Sequence, residues 1–258
     1  MDLGLKDKIA IVGGGSEGIG YGIARVLAAE GAKVAIWARR GTKLEPAADG
    51  LRKETGAEVL AIEGDCRKAE DIDNVLAQTL QRFGGVDIVI HNDGAPPIGP
   101  IESFDDAAWL QAVEWNLLYV VRSVRGALPH MKKRGGGSVL NVMSQAAIEP
   151  RPQLALSSAT WAGVLSYAKT LSLELGAQNI NVNTLLSGLI DTPRTAKMAA
   201  KVPDPDAWKK RMEREIPLGR FGSIDDMGAL SALLVSPRGS FITGTAVQVD
   251  GGLQKGIR

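Results

Sequence analysis

The sequence predicts an α/β fold, a doubly wound parallel sheet with helices on both faces. Three observations carry this. Short apolar runs rich in Val and Ile recur along the 258 residues. They alternate with longer segments of helical period. A glycine-rich turn follows the first run directly and opens the first helix. Strands with no polar alternation are covered on both faces, and a sheet covered on both faces is normally parallel. Repeated βα alternation then gives the doubly wound arrangement.

The predicted strands are "KIAIVG" (8–13), "KVAIWA" (33–38), "EVLAIEG" (58–64), "VDIVIHN" (86–92), "SVLNVM" (138–143), "INVNTLL" (180–186) and "TAVQVDG" (245–251). Helical periodicity covers 18–30, 42–54, 69–82, 106–133, 156–177 and 223–235. Lys132, Lys133 and Arg134 precede "GGG" at 135–137, so cations and glycine mark a helix C-terminus, and His130 belongs to that basic end. Ser223 before Asp225 and Asp226 marks an N-cap. The stretch from about 192 to 218 is polar and carries Pro193, Pro203, Pro205 and Pro217. It reads as an excursion above the sheet edge, in the place of a lid that screens a substrate from water. No linker, solenoid repeat or low-complexity segment divides the chain, so 1–258 is expected to be one domain.

Composition narrows the function classes. A formal net charge of +1 gives no case for nucleic acid or a membrane surface. The lone cysteine, Cys66, excludes an internal disulfide and suits a reducing cytoplasm. The opening residues are too short and too interrupted by charge for a signal peptide or a membrane span. No metal-ligating cluster stands out.

The turn "GGGSEGIG" (13–20) is a dinucleotide-binding candidate. Gly14, Gly18 and Gly20 allow a tight turn, close backbone approach to a pyrophosphate and close helix–strand packing. Ser16 and Ile19 complete the loop, and the helix start aims free N–H groups at phosphate. The second strand ends "AIWARR". Ala38 stands where an acid would bind a ribose 2′-hydroxyl, and Arg39 follows, which suits a 2′-phosphate. NADP(H) is therefore expected over NAD(H). Glu17 works against that expectation by lying near the phosphate, and the competing reading of Arg39 and Arg40 is a solvated helix start.

These motifs resemble those of the short-chain dehydrogenase/reductase family over essentially the full chain. The resemblance rests on the glycine loop, "GDC" (64–66), "HNDG" (91–94), "WNLLYV" (115–120), "NVMS" (141–144), "SGLIDT" (187–192), "IPLGRFG" (216–222) and "FITGTAVQVDGG" (241–252). It implies a seven-stranded Rossmann sheet in a homodimer or homotetramer. It also implies hydride transfer between NAD(P) and an alcohol or ketone. By position, Asp65 resembles the residue that meets the adenine, and Asn92 and Gly94 the turn beside the ribose. Asn116 resembles the asparagine that holds a water in a proton relay. Ser144 resembles the serine that binds the substrate oxygen, and Thr192 the threonine that meets the carboxamide. Each, taken alone, also has an ordinary structural reading.

The pattern then breaks. The family's tyrosine stands thirteen residues after the serine, which is Ser157 here, and its lysine four further on is Trp161. One helical turn separates them, so both side chains are expected to face the same cleft. The serine hydroxyl is a far weaker acid than a phenol and is too short to reach the same point. Trp161 carries one N–H donor and no charge. Losing a placed general acid typically removes ~10²–10⁴ of rate, and losing the cation weakens cofactor binding.

Tyr167, about 15 Å further along the helix, falls on another face. His91 and Asp93 either titrate near the cofactor or serve a hydrogen-bonded turn. Glu149 and Arg151 either orient a polar ligand or form a solvated ion pair. Three functions stay open: an oxidoreductase with altered acid–base chemistry, a non-redox lyase or isomerase, and an inactive partner subunit or ligand sensor pairing with an active paralogue.

Overall fold

The computed structural model describes residues 1–92 and 96–256. Its sheet consists of β1 (Ile9–Gly13), β2 (Lys33–Ala38), β3 (Val59–Glu63), β4 (Ile88–His91), β5 (Gly137–Ser144), β6 (Ile180–Ser187) and β7 (Ala246–Val249). The spatial order is β3-β2-β1-β4-β5-β6-β7 and every pairing is parallel. The chain runs outward from β1 to β3 and resumes at β4 on the other side of β1. That reversal opens a crevice at the carboxyl ends of β1 and β4, where ligands of open α/β sheets bind.

Alternate strand residues feed two cores, because side chains point to opposite faces with period two. Ala10, Val12, Ile36 and Ile90 pack against α1 (Gly18–Ala29), α2 (Gly41–Thr55) and α9 (Ile224–Val235). Ile11, Trp37, Val89 and Met143 pack against α3 (Ala69–Phe83), α5 (Tyr119–Lys133) and α6 (Ala155–Leu175). Leu27 and Ile36, both fully buried, each contribute about 1.5–3 kcal/mol by leaving water. Among the described residues, no helix is long and apolar enough to cross a membrane.

Two segments differ from the sequence expectation. The helix expected over 106–133 is interrupted. The α-helix α4 (Asp106–Ala112) passes into a π-helical segment, Val113–Leu118, before α5 begins. The Tyr119 N–H donates to the Glu114 carbonyl, one residue further back than in an α-helix. The wider turn brings Asn116 inside, at 2% exposure. The second difference is the polar excursion, which carries α7 (Pro193–Ala199) and α8 (Pro205–Glu215). Pro193 and Pro205 stand in the first turns of these helices, where a missing N–H costs nothing, and Thr192 and Asp204 cap them. At the ends read from sequence, Ser223 and Asp226 form a capping box on α9. Arg134 turns from the end of α5 to grip buried Asp87 with two bonds of 2.7 and 2.9 Å.

Candidate active site

The glycine loop joins β1 to α1 so tightly that only glycine fits. Gly18 has φ +63° beside Thr192. A Cβ on Gly20 would lie 2.4 Å from the Gly14 carbonyl oxygen and 2.7 Å from the Asn92 amide nitrogen. Asn92 in turn reaches the Gly13 carbonyl at 3.5 Å, which ties the end of β4 to the loop.

From this loop a cavity of about 360 Å³ runs along the crevice. Gly14, Gly18 and Ile19 line one part, Asn92 and Thr192 the flanks, and Ser144 and Trp161 another. The structure thus brings these residues to one crevice. Ser16 lies in the same loop, whereas Gly94 and Asp93 fall outside the described residues.

Glu17 does not stand alone beside the loop. It accepts from Arg40 at 2.8 Å and from Lys43. The Lys43 hydrogen bond holds the Glu17 carboxyl below the ordinary range, against the opposing effect of partial burial and with help from the charges of Lys43 and Arg40. The repulsion expected of Glu17 is therefore offset internally. Arg40 does cap the solvated start of α2, as the competing reading had it, but there it pairs with Glu17. Arg39 is exposed and forms no hydrogen bond or ion pair among the described residues. Lys43 escaped the sequence reading, although its place three residues after Arg40 puts both on one side of the first turn of α2.

Asp65 follows β3 and is bound by Arg67, whose Nε lies 2.7 and 2.8 Å from the two carboxylate oxygens. Partial burial opposes ionisation there, but the hydrogen bonds from Arg67 outweigh it and keep the carboxyl below its usual range. The same guanidinium lies over the Trp115 ring, 5.2 Å from its centroid.

At the other end, the Ser144 hydroxyl caps the short turn after β5, accepting from the Ala146 N–H at 3.2 Å. Trp161 lines the cavity and packs against the core beneath α6. Ser157 does not share that position. It is 2% exposed and is not among the described residues that line the cavity, so of the two only Trp161 meets the crevice. Asn116 donates to the Thr160 hydroxyl at 2.7 Å, and Thr160 donates to the Leu156 carbonyl. The Asn116 Oδ1 is buried with no partner among the described residues. Thr160 was not foreseen, since the contact depends on how α6 crosses the π-helical segment.

His91 is the last residue of a strand rather than a turn residue. It ends β4 on the core face, 3% exposed, with Nδ1 2.9 Å from Oδ1 of Asn141 on β5. Burial pushes its pKa down to about 4, against the opposing hydrogen bond. Tyr119 stands edge-on to it, ring centroids 5.2 Å apart. Tyr167 packs into the core side of α6 and burial raises its pKa. Glu149 and Arg151 form no ion pair. With the Gln145 amide oriented to satisfy both neighbours, Gln145 accepts from Arg151 and donates to Asp250 at 3.2 Å. Arg194, on α7, also lines the cavity and was missed, although it lies two residues after Thr192.

The family model described as enoyl-(acyl carrier protein) reductase matches residues 14–254. The 3-oxoacyl-(acyl-carrier-protein) reductase of Chlamydia muridarum is 31% identical over 249 residues, covering 96% of this chain and 98% of its own. The 3beta-hydroxysteroid dehydrogenase 1 of Eggerthella lenta is 34% identical over 252 residues, covering 96% and 94%. L-sorbose reductase from Gluconobacter frateurii, solved with NADPH and L-sorbose, superposes with a TM-score of 0.96 at 33% identity over 100% of both chains. Glycine cradle, strand order and these likenesses agree: the chain belongs to the short-chain dehydrogenase/reductase family.

Proposed function

We propose that the protein binds NADP(H) in preference to NAD(H) and acts as an oxidoreductase on an alcohol or ketone, with altered and slowed acid–base chemistry. The observation that carries this reading is the open cavity from the glycine loop to Ser144, joined to a wall where Trp161 replaces a cation. Gly14, Ser16, Gly18, Ile19 and Gly20 are assigned to the pyrophosphate, Arg39 to the 2′-phosphate, and Asp65 to the adenine. Asn92 and Gly94 are assigned to the ribose side, and Thr192 to the carboxamide. The cofactor supplies the hydride. Ser144 offers a hydroxyl to the substrate oxygen, and α7 and α8 act as the lid that excludes water. Asn116 is committed to Thr160 by its amide, so only its Oδ1 is free to take part in a proton path.

The test is NADPH binding by calorimetry followed by stopped-flow absorbance over a ketone panel. Slow hydride transfer supports the reading. Tight nicotinamide binding with no transfer to any substrate refutes it and leaves a ligand sensor. That second reading has its own support, because no His, Tyr, Lys or Cys lines the cavity among the described residues. A homodimer or homotetramer belongs to the proposal, on the exposed Leu110, Leu173 and Phe241. So does a reducing cytoplasmic setting, on the lone Cys66. Native mass spectrometry and pull-down separate a homomer from pairing with an active paralogue.

A further inference from the structure

We infer that the substrate carries a carboxylate, and that Arg151 and Arg194 bind it. The inference rests on the reading of this crevice as a substrate site and deepens it. Both arginines line the cavity, one from the loop after β5 and the other from α7 after β6. Neither forms an ion pair among the described residues. Glu17, the acid that shares the lining, is already paired with Arg40 and Lys43. Two guanidinium groups, both open to solvent, therefore line the cavity with no ion-pair partner among the described residues.

Arg151 is held rather than free. Gln145 accepts from it, is 3% exposed, and is fixed in turn by Asp250. A buried amide that orients a guanidinium toward an open cavity is a recognition device, since Arg presents a planar fork that matches a carboxylate. Leu154, Leu189 and Met198 supply apolar wall for a short carbon chain. Trp161 removes a cation from the wall that carries α6, while the arginines place positive charge on the loop after β5 and on α7. The substrate class is thus a keto acid or the matching hydroxy acid.

The experiment titrates the intact protein with pyruvate, acetoacetate and levulinate, each against its own methyl ester, followed by tryptophan fluorescence and calorimetry. Each titration is repeated with and without NADPH. The expected result is at least one acid bound about tenfold or more tighter than its ester, roughly 1.4 kcal/mol. Arg151→Gln and Arg194→Gln should each reduce that acid to the level of its ester and leave NADPH binding unchanged, with folding checked by circular dichroism. Equal binding of acids and esters, or no binding of any acid, overturns the inference. So does an Arg194→Gln variant that loses NADPH rather than acid, because that guanidinium would then serve the cofactor. Acid preference that survives without any NADPH binding would sink the oxidoreductase reading while this one stands.

Discussion

His91 offers a test of where protons can and cannot go in this site. Its imidazole is buried against Tyr119 and paired with Asn141, and its pKa falls from 6.5 to about 4. In the unfolded chain the group takes up a proton near pH 6.5, whereas in the folded chain it does so only near pH 4. Between those limits the unfolded state binds more protons, so stability is fully present above the unfolded pKa and declines as pH falls. The full difference amounts to roughly 3 kcal/mol at about 1.4 kcal/mol per unit. About 2 kcal/mol of it is lost between pH 7.5 and pH 5. Urea unfolding followed by tryptophan fluorescence at the two pH values measures this. The same experiment on His91→Gln, which keeps a donor for Asn141, removes the contribution of His91 and leaves His130 and the carboxylates as they were. The wild type should lose about 2 kcal/mol more than the variant on acidification. Equal losses would show a histidine that titrates normally. It would then return as a candidate proton donor, and the account of a site without one would fail.

Other outcomes follow from the same geometry. Ser157→Tyr combined with Trp161→Lys should raise ketone reduction by roughly 10²-fold or more, read as NADPH absorbance; continued inactivity would mean the rest of the pocket has been remodelled. Glu17→Gln releases Arg40 and Lys43. Two largely exposed ion pairs are together worth about 0.5–1 kcal/mol, so the preference for NADPH over NADH should rise roughly twofold to fivefold in calorimetric titration. An unchanged preference would mean that Arg40 and Lys43 do not join Arg39 at the 2′-phosphate. Gly20→Ala should cost about 1–3 kcal/mol in thermal unfolding by overpacking, and should abolish dinucleotide binding, because its Cβ would meet the Gly14 oxygen. Undiminished binding would contradict the cradle.

The layering was legible in the sequence for a simple reason. Strands such as Ile9–Gly13 are buried on both faces, so their apolar runs stand out against amphipathic helices. That Ser157 and Trp161 stand thirteen and seventeen residues after Ser144 was legible too, since that spacing is counted along the chain. What depends on contacts between distant segments was not. The pairing of His91 with Asn141 follows from the register of β4 on β5. The π-helical turn at Asn116 and its bond to Thr160 need α6 in place. Arg151 was legible as a candidate, but its meeting Arg194 of α7 at one cavity depends on how the segments after β5 and β6 approach each other, which no local pattern encodes.

Asp250 links the tail to the crevice. One carboxylate oxygen accepts from the Gly252 N–H, and the other from the Gln254 N–H and the Gln145 amide. A displacement of Gln254 is therefore transmitted through two side chains to the guanidinium of Arg151. A substitution that loosens Asp250 would slacken the arm proposed to greet the ligand.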